Sequence, residues 1–232
     1  MRPTSKLLAL ALTAAMQAAV AAPATVELKF EDISTASDPR GLGIVELADR
    51  YKADGVQFTG GAWGVTAAGA CKGIVSFVPY GGGCGALLLA GDPRDTTVGG
   101  DVTFTLNFAE GFIKGSSLFY SALTGSGATV TLFSELDGKG DATRVTGLVP
   151  ANCKDGSGAV FCVWKELALE AGGATGVARS MVVSGFDESL MLDDLKLVKA
   201  STVPSRLPEP ASAALVLGAL GAAGWSRKRK PS

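Results

Sequence analysis

Asp101-Val102-Thr103-Phe104-Thr105-Leu106-Asn107-Phe108 decides the fold. Apolar and polar residues alternate at every step, so Val102, Phe104, Leu106 and Phe108 share one face of an extended chain. A period of two is the signature of a half-buried β-strand, because successive side chains in a strand point to opposite faces. Working outward, the same punctuation recurs. Val26-Glu27-Leu28-Lys29-Phe30 alternates, and Val56 to Thr59 is a short apolar run after Gly55. Gly73 to Tyr80 and Ala86 to Ala90 are apolar runs bounded by glycines. Ser117 to Leu123 and Ala128 to Leu136 flank the turn Thr124-Gly125-Ser126-Gly127. Thr143 to Val149, Val160 to Leu169, Ser180 to Phe186 and Leu190 to Val198 complete the series. Ile44, Leu47, Ala48 and Tyr51 alone fall at helical spacing and predict one helical turn before Gly55. About ten short strands at this spacing predict an all-β jelly-roll sandwich of about 8–10 strands. The 31 glycines serve tight turns, since regular apolar strands argue against disorder. There is no internal repeat.

The two ends stand apart from this body. Arg2 and Lys6 precede an uncharged Leu- and Ala-rich run from Leu7 to Val20, and Ala19-Val20-Ala21 is a small-x-small cleavage pattern. Residues 1–22 therefore read as a signal peptide, a helix cut by signal peptidase, and are set aside from fold reasoning. At the other end, Pro208-Glu209-Pro210 precedes an apolar run, Ala211 to Trp225, and then Arg227-Lys228-Arg229-Lys230. Basic residues after an apolar helix stay cytoplasmic, so the body would lie outside and the chain would be anchored transiently in the inner membrane. Residues 23–200 form the body and 201–207 a linker.

That order of proline-rich motif, hydrophobic helix and basic cluster over residues 208–232 resembles the PEP-CTERM sorting tail. The resemblance implies handling by an exosortase-type protease, removal of the tail near Pro208, Glu209 and Pro210, and delivery to the cell surface or extracellular matrix of a polysaccharide-producing bacterium.

Composition narrows the function of the body. With both ends removed, it carries 15 basic and 21 acidic residues, a net charge of −6. Such a surface, without a basic stripe, excludes a nucleic-acid partner. The chain has no histidine, which removes the Ser-His-Asp and Cys-His mechanisms and the common catalytic zinc sites. No catalytic residue can be singled out, and no cofactor is required. The four cysteines, Cys71, Cys84, Cys153 and Cys162, read as two disulfides in an exported chain. Three pairings are possible; the sequence-local ones, Cys71 with Cys84 and Cys153 with Cys162, each close a short turn-rich loop. A zinc site from the same four lacks C-x-x-C spacing.

The edges of the body carry a second resemblance. Leu28-Lys29-Phe30-Glu31-Asp32-Ile33 opens it and Leu190-Met191-Leu192-Asp193-Asp194-Leu195-Lys196-Leu197 closes it. These are similar to the first and last strands of galactose-binding-like jelly rolls, a layout shared by several carbohydrate-binding modules. Tyr51-Lys52-Ala53-Asp54-Gly55-Val56-Gln57-Phe58 resembles a stretch found in PEP-CTERM cargo of this type. In such relatives carboxylates of the first and last strands hold a structural calcium, which implies Glu31 and Asp193 as ligands. Alternation places Asp193 with Met191 and Leu195, pointing inward, where an unpaired charge is costly; calcium, backbone amides or Lys29 are the possible partners. Adjacent on a strand, Asp193 and Asp194 should face opposite sides and so cannot act as a glycosidase pair.

Sugar-binding faces present aromatic rings. Trp63, among glycines, reads as a loop residue and Tyr80, before Gly81-Gly82-Gly83, as its companion; Trp164 reads as core. The triglycine lacks the Gly-Lys-Ser/Thr ending of a phosphate loop. Thr103/Thr105 and Thr129/Thr131 are ordinary strand threonines rather than an ice-binding array. The sequence thus points to a non-enzymatic surface or matrix protein associated with exopolysaccharide. A carbohydrate-binding module is the first alternative, and a carboxylate-based glycan hydrolase the second.

Overall fold

The computed structural model describes residues 24–93, 99–145, 148–153, 158–171 and 175–200. The expected signal helix, the linker and the sorting tail with Pro208, Glu209 and Pro210 lie outside these residues. Among the described residues no helix is long and apolar enough to cross a membrane.

The body is all-β. In chain order its strands are β1 (Thr25–Leu28), β2 (Ile44–Glu46), β3 (Val56–Gly60), β4 (Ala62–Thr66), β5 (Gly85–Leu89) and β6 (Asp101–Phe112). They continue with β7 (Ser116–Ala122), β8 (Thr129–Phe133), β9 (Ala142–Val145), β10 (Lys165–Leu169), β11 (Ala178–Phe186) and β12 (Leu190–Val198). A seven-stranded sheet runs β10-β7-β12-β5-β4-β2, with β1 also paired to β12, and a five-stranded sheet runs β3-β6-β11-β8-β9. Every pairing between these strands is antiparallel. The inner faces pack on each other through Phe58, Leu87, Phe104, Leu106, Leu118, Tyr120, Val183 and Leu192, all buried in one continuous core. This is the β-sandwich that the alternation of β6 predicts: Phe104, Leu106 and Phe108 face the core. On the outer face Thr103 is exposed and Thr105 half-buried.

β5 reads differently because it is buried on both faces. Leu87 and Leu89 belong to the central core, while Leu88 joins a second cluster with Ile44, Trp63, Val65, Phe77, Phe161 and Met191. That cluster lies on the outer side of the seven-stranded sheet. Loops on either side of Phe77 and Phe161 cross over it, and the two segments touch through a parallel bridge between these residues. A strand buried on both faces loses its alternation and reads as an unbroken apolar run.

Two elements depart from the sequence reading. Gly73 to Tyr80 is not a strand but part of this covering loop. Gly73 donates its N–H to Ala67 O (2.8 Å), and a Cβ there would overlap Thr66 O, so the chain turns sharply instead of extending. The predicted helical turn begins as strand β2. Asp38 accepts the N–H groups of Arg40, Leu42 and Ile44 (2.9, 3.0 and 3.2 Å), which orders the entry to that strand. Helical geometry survives only as a 3-10 turn at Lys52–Asp54, ended by Gly55 at φ 83°. Sheet pairing with β4 overrides the local periodicity.

Candidate functional site

The last strand carries the main irregularity of the seven-stranded sheet. Along β12, Asp193 pairs with Phe119 but the next partner pair is Lys196 with Ser117, so β12 holds one extra residue at this point. Asp194 absorbs it with φ at 43°. A bulge of this kind resets the alternation. Leu190, Leu192, Leu195 and Leu197 all reach the central core. Asp193 instead stays with Met191 on the outer side, not with Leu195 as simple alternation predicts. The bulge also corrects the expectation that Asp193 and Asp194 face opposite sides. Asp193 accepts a hydrogen bond from the backbone of Tyr80, and Asp194 Oδ2 lies 3.9 Å from the point a Cβ on Gly81 would occupy.

Asp193 is 1% exposed. Its Oδ1 accepts the Asp194 N–H (2.8 Å), while Oδ2 has no hydrogen-bond partner. Burial pushes its pKa up to about 8, with the neighbouring charges of Asp194 and Glu31 acting in the same direction against the two backbone hydrogen bonds. Burial likewise raises Asp194, opposed by Lys29 and reinforced by Glu31 and Glu27. Glu31 lies near both carboxylates. Its Oε2 accepts the Cys84 N–H (2.7 Å), and its carboxylate fills the space that a Cβ on Gly83 would need. Gly83, the last of the three glycines, therefore makes room for Glu31, a role that needs no phosphate. Three carboxylates thus gather beneath one glycine loop. An orphaned buried oxygen beside two further hard oxygen donors suits calcium chemically. Among the described residues, however, no three acidic, histidine or cysteine side chains converge closely enough to hold an ion unaided. Backbone carbonyls would have to complete the shell. Asp193 is too deeply buried to flank a glycosidic bond, so this cluster offers no pair of catalytic carboxylates.

Trp63 does not take the place that its sequence context suggests. Trp63 lies in β4, 5% exposed, inside the outer cluster, with its indole N–H donating to Gly91 O. The flanking glycines made it look like a loop residue. Gly64 is there because a Cβ would strike Ile33 and Leu47, and Gly61 because one would strike Ala90 O. Trp63 therefore offers no stacking surface to solvent. Trp164, read as core, is half-buried just before β10, and its indole N–H donates to Val78 O (2.7 Å). Tyr80 stacks on Phe119 with centroids 3.9 Å apart and ring planes 20° apart, and Trp164 lies 6.1 Å from Tyr80. Tyr80 and Phe119 are also half-buried.

These rings stand where the loops end and the open half of the sheet begins. Beyond them a cavity of about 220 Å³ is lined by Glu27, Lys29, Ser117, Phe119, Glu166, Asp194 and Lys196. Registers explain the assembly: Glu27 pairs with Lys196, Lys196 with Ser117, and Phe119 with Glu166, so four strands deliver their outward residues to one place. Glu166 and Lys196 were not singled out from sequence as site residues, and Lys29 was named only as a possible partner of Asp193. Glu166 and Lys196 occupy outward strand positions and Lys29 directly follows β1, but only the strand order β10-β7-β12-β1 makes them neighbours. The site can do what a ring face rimmed by both carboxylates and ammonium groups does: stack against an apolar ring face while donating to and accepting from hydroxyl groups.

Disulfides join Cys71 to Cys84 and Cys153 to Cys162, each with Cα atoms 5.6 Å apart. The first ties off the loop that carries Phe77 and Tyr80. The second anchors the segment that carries Phe161 and leads into Trp164. No free cysteine is present among the described residues. Covalent ties of this sort belong to an oxidising compartment.

Fold and site together define a disulfide-tied antiparallel β-sandwich with one sheet face half covered and half open. No family model matches the chain and no curated protein matches it. Two solved structures are similar. One is the K1 cleaved adhesin domain of Lys-gingipain from Porphyromonas gingivalis W83, at 12% identity and TM-score 0.43 over 77% of this chain and 99% of that one. The other is the N-terminal CBM22-1-GH10 portion of endo-1,4-β-D-xylanase 10B from Clostridium thermocellum, complexed with xylohexaose, at 11% identity and TM-score 0.37 over 76% of this chain and 28% of that one. At such values the likeness reaches no particular residue.

Proposed function

We propose that this chain is an exported, non-enzymatic surface or matrix protein whose body binds extracellular polysaccharide on the open half of the seven-stranded sheet. One observation carries the reading: Phe119 lines a cavity edged by Glu27, Lys29, Glu166 and Lys196, and it stacks on Tyr80, with Trp164 beside Tyr80, in a half-buried aromatic cluster. Aromatic rings flanked by a few convergent polar groups suit the alternating apolar and hydroxylated faces of a pyranose. Export rests on the signal peptide, release on an exosortase acting near Pro208-Glu209-Pro210, and the two disulfides suit the destination. Calcium at Glu31 and Asp193 is a structural accessory in this reading. It would fix the glycine loop that presents Tyr80, with Asp193 ionised instead of protonated.

The test is a glycan-array screen of the full-length chain in a detergent without sugar headgroups, with calcium and with chelator. Selective binding that falls about tenfold in Phe119→Ala or Trp164→Ala supports the proposal, a loss on the scale of one truncated anchor residue. Binding unaffected by both substitutions, or no binding to any glycan, overturns it. A calcium requirement lost in Asp193→Asn supports the accessory role, and a melting temperature insensitive to calcium excludes it.

A further inference from the structure

A larger cavity lies elsewhere. It measures about 730 Å³, at one end of the five-stranded sheet, and the β8–β9 loop forms its wall. That loop is unusually well fastened. It folds back over the outer face of its own sheet, where Asn107 donates from Nδ2 to Asp137 Oδ1 (2.8 Å) and accepts the Asp137 N–H at Oδ1 (2.8 Å). Ser180, fully buried, donates to Glu135 O (2.6 Å) and accepts the Gly138 N–H (3.0 Å). Asp137 and Gly138 both take positive φ (58° and 66°), the backbone of a tight reversal. A loop pinned by buried side chains of two neighbouring strands is preorganised: the wall is set before any ligand arrives.

The lining is polar and of mixed charge. Glu110 is engaged by Lys199 (2.7 Å) and Asp137 lies 3.9 Å from Lys139. Glu135, Asp141 and Arg179 line the same cavity, with Leu136 as an apolar contact. The residues that line it include no aromatic ring. Carboxylates accept from hydroxyl groups and a guanidinium donates to them, so this lining matches a ligand rich in hydroxyls. With more carboxylates than cations among its lining residues, it disfavours an anionic ligand. Its volume falls in the range of pockets that enclose a small molecule or a few sugar units.

We propose that this cavity is a second glycan site, specific for uncharged sugars, and that each body therefore carries two sites on opposite sheets and bridges two polysaccharide strands. The inference rests on the glycan-binding reading given above and extends it to a separate place. The cavity belongs to the five-stranded sheet, whereas the aromatic rim lies on the outer face of the seven-stranded one.

The experiment is equilibrium titration of the full-length chain, in the same detergent, with a neutral oligosaccharide selected on the array, together with turbidity of the parent polysaccharide. The wild type should bind two oligosaccharides per chain and raise turbidity. Arg179→Ala, at an exposed position, should leave one site, remove the turbidity and keep an unchanged melting temperature; Glu135→Gln should behave in the same direction. Phe119→Ala should also leave one site. A single site in the wild type that disappears in Phe119→Ala and survives Arg179→Ala overturns this inference while the function proposed above stands. A single site that disappears in Arg179→Ala and survives Phe119→Ala overturns both the bridging and the aromatic site. The absence of any binding overturns both proposals.

Discussion

The outer face of the seven-stranded sheet has two halves built from the same kind of strand and put to different use. Over β2, β4 and β5 the outward residues are Ile44, Trp63, Val65 and Leu88, and two disulfide-tied loops lay Phe77 and Phe161 on top of them. Over β1, β12, β7 and β10 the outward residues include Glu27, Lys196, Phe119 and Glu166, and they line an open cavity. The boundary runs through the Tyr80–Phe119 stack and the bulge at Asp193. The covered half shows how a chain rich in glycine acquires a second core: the loops are sealed covalently and then packed. The open half shows what that arrangement leaves over, a set of half-buried rings at the edge of the covered cluster. The covering loop joins the two, because it buries Phe77 on one side and presents Tyr80 on the other.

The largest expected effect breaks the covered half. Trp63→Ala should lower stability by about 3–5 kcal/mol, the cost of emptying a large buried aromatic site, read as a shift of the denaturant midpoint. A Trp63 that served as a solvent-facing platform would cost far less. Next, the paired change Cys71→Ser with Cys84→Ser should cost about 3 kcal/mol and should also weaken glycan binding, since the loop that carries Tyr80 loses its tie. Stability lost with binding retained would separate the two halves that we regard as joined.

A smaller effect sharpens the boundary. The folded Asp193 has its pKa raised to about 8 from the ordinary carboxylate value of 3.8. The folded state therefore holds the proton more tightly, and the stability that this provides is complete below about pH 4 and is lost as the pH rises through about 8. Asp193→Asn removes the titration. Thermal melts in chelator should show the variant gaining on the wild type between pH 6 and 9 and not at pH 4. Calcium should reverse the order at high pH, because a bound cation favours the ionised carboxylate that only the wild type has. Equal melting temperatures across the whole range would mean that Asp193 is neither protonated nor metal-bound in the way its burial requires.

The sandwich was legible in sequence wherever one strand face is open. β6 alternates because Thr103 and Thr105 meet solvent while Phe104 and Leu106 do not, and β11 was readable for a similar reason; β12, buried at four successive residues from Leu190 to Asp193, was read from its apolar run. Legibility failed at β4, whose residues are all buried. Ala62-Trp63-Gly64-Val65-Thr66 has no alternation, and its glycines mark close packing against Ile33 and Leu47 instead of a turn. Composition does not distinguish these two uses of glycine, so Trp63 was read as a loop residue. The bulge was equally hidden: an extra residue in β12 leaves no compositional trace, yet it moves Asp193 relative to Leu195. Glu31, Asp193 and Tyr80 were visible as isolated candidates. Their convergence with Phe119, Lys29 and Lys196 depends on strand order, which periodicity does not contain.

Hydroxyl-radical footprinting of the full-length chain, free and with the polysaccharide found on the array, tests the division of that sheet most directly. The account predicts that Tyr80, Phe119 and Trp164 are oxidised in the free chain and protected in the complex, while Trp63 stays unlabelled in both. Strong labelling of Trp63 in the free chain, or protection that spares all three rim residues, would contradict it.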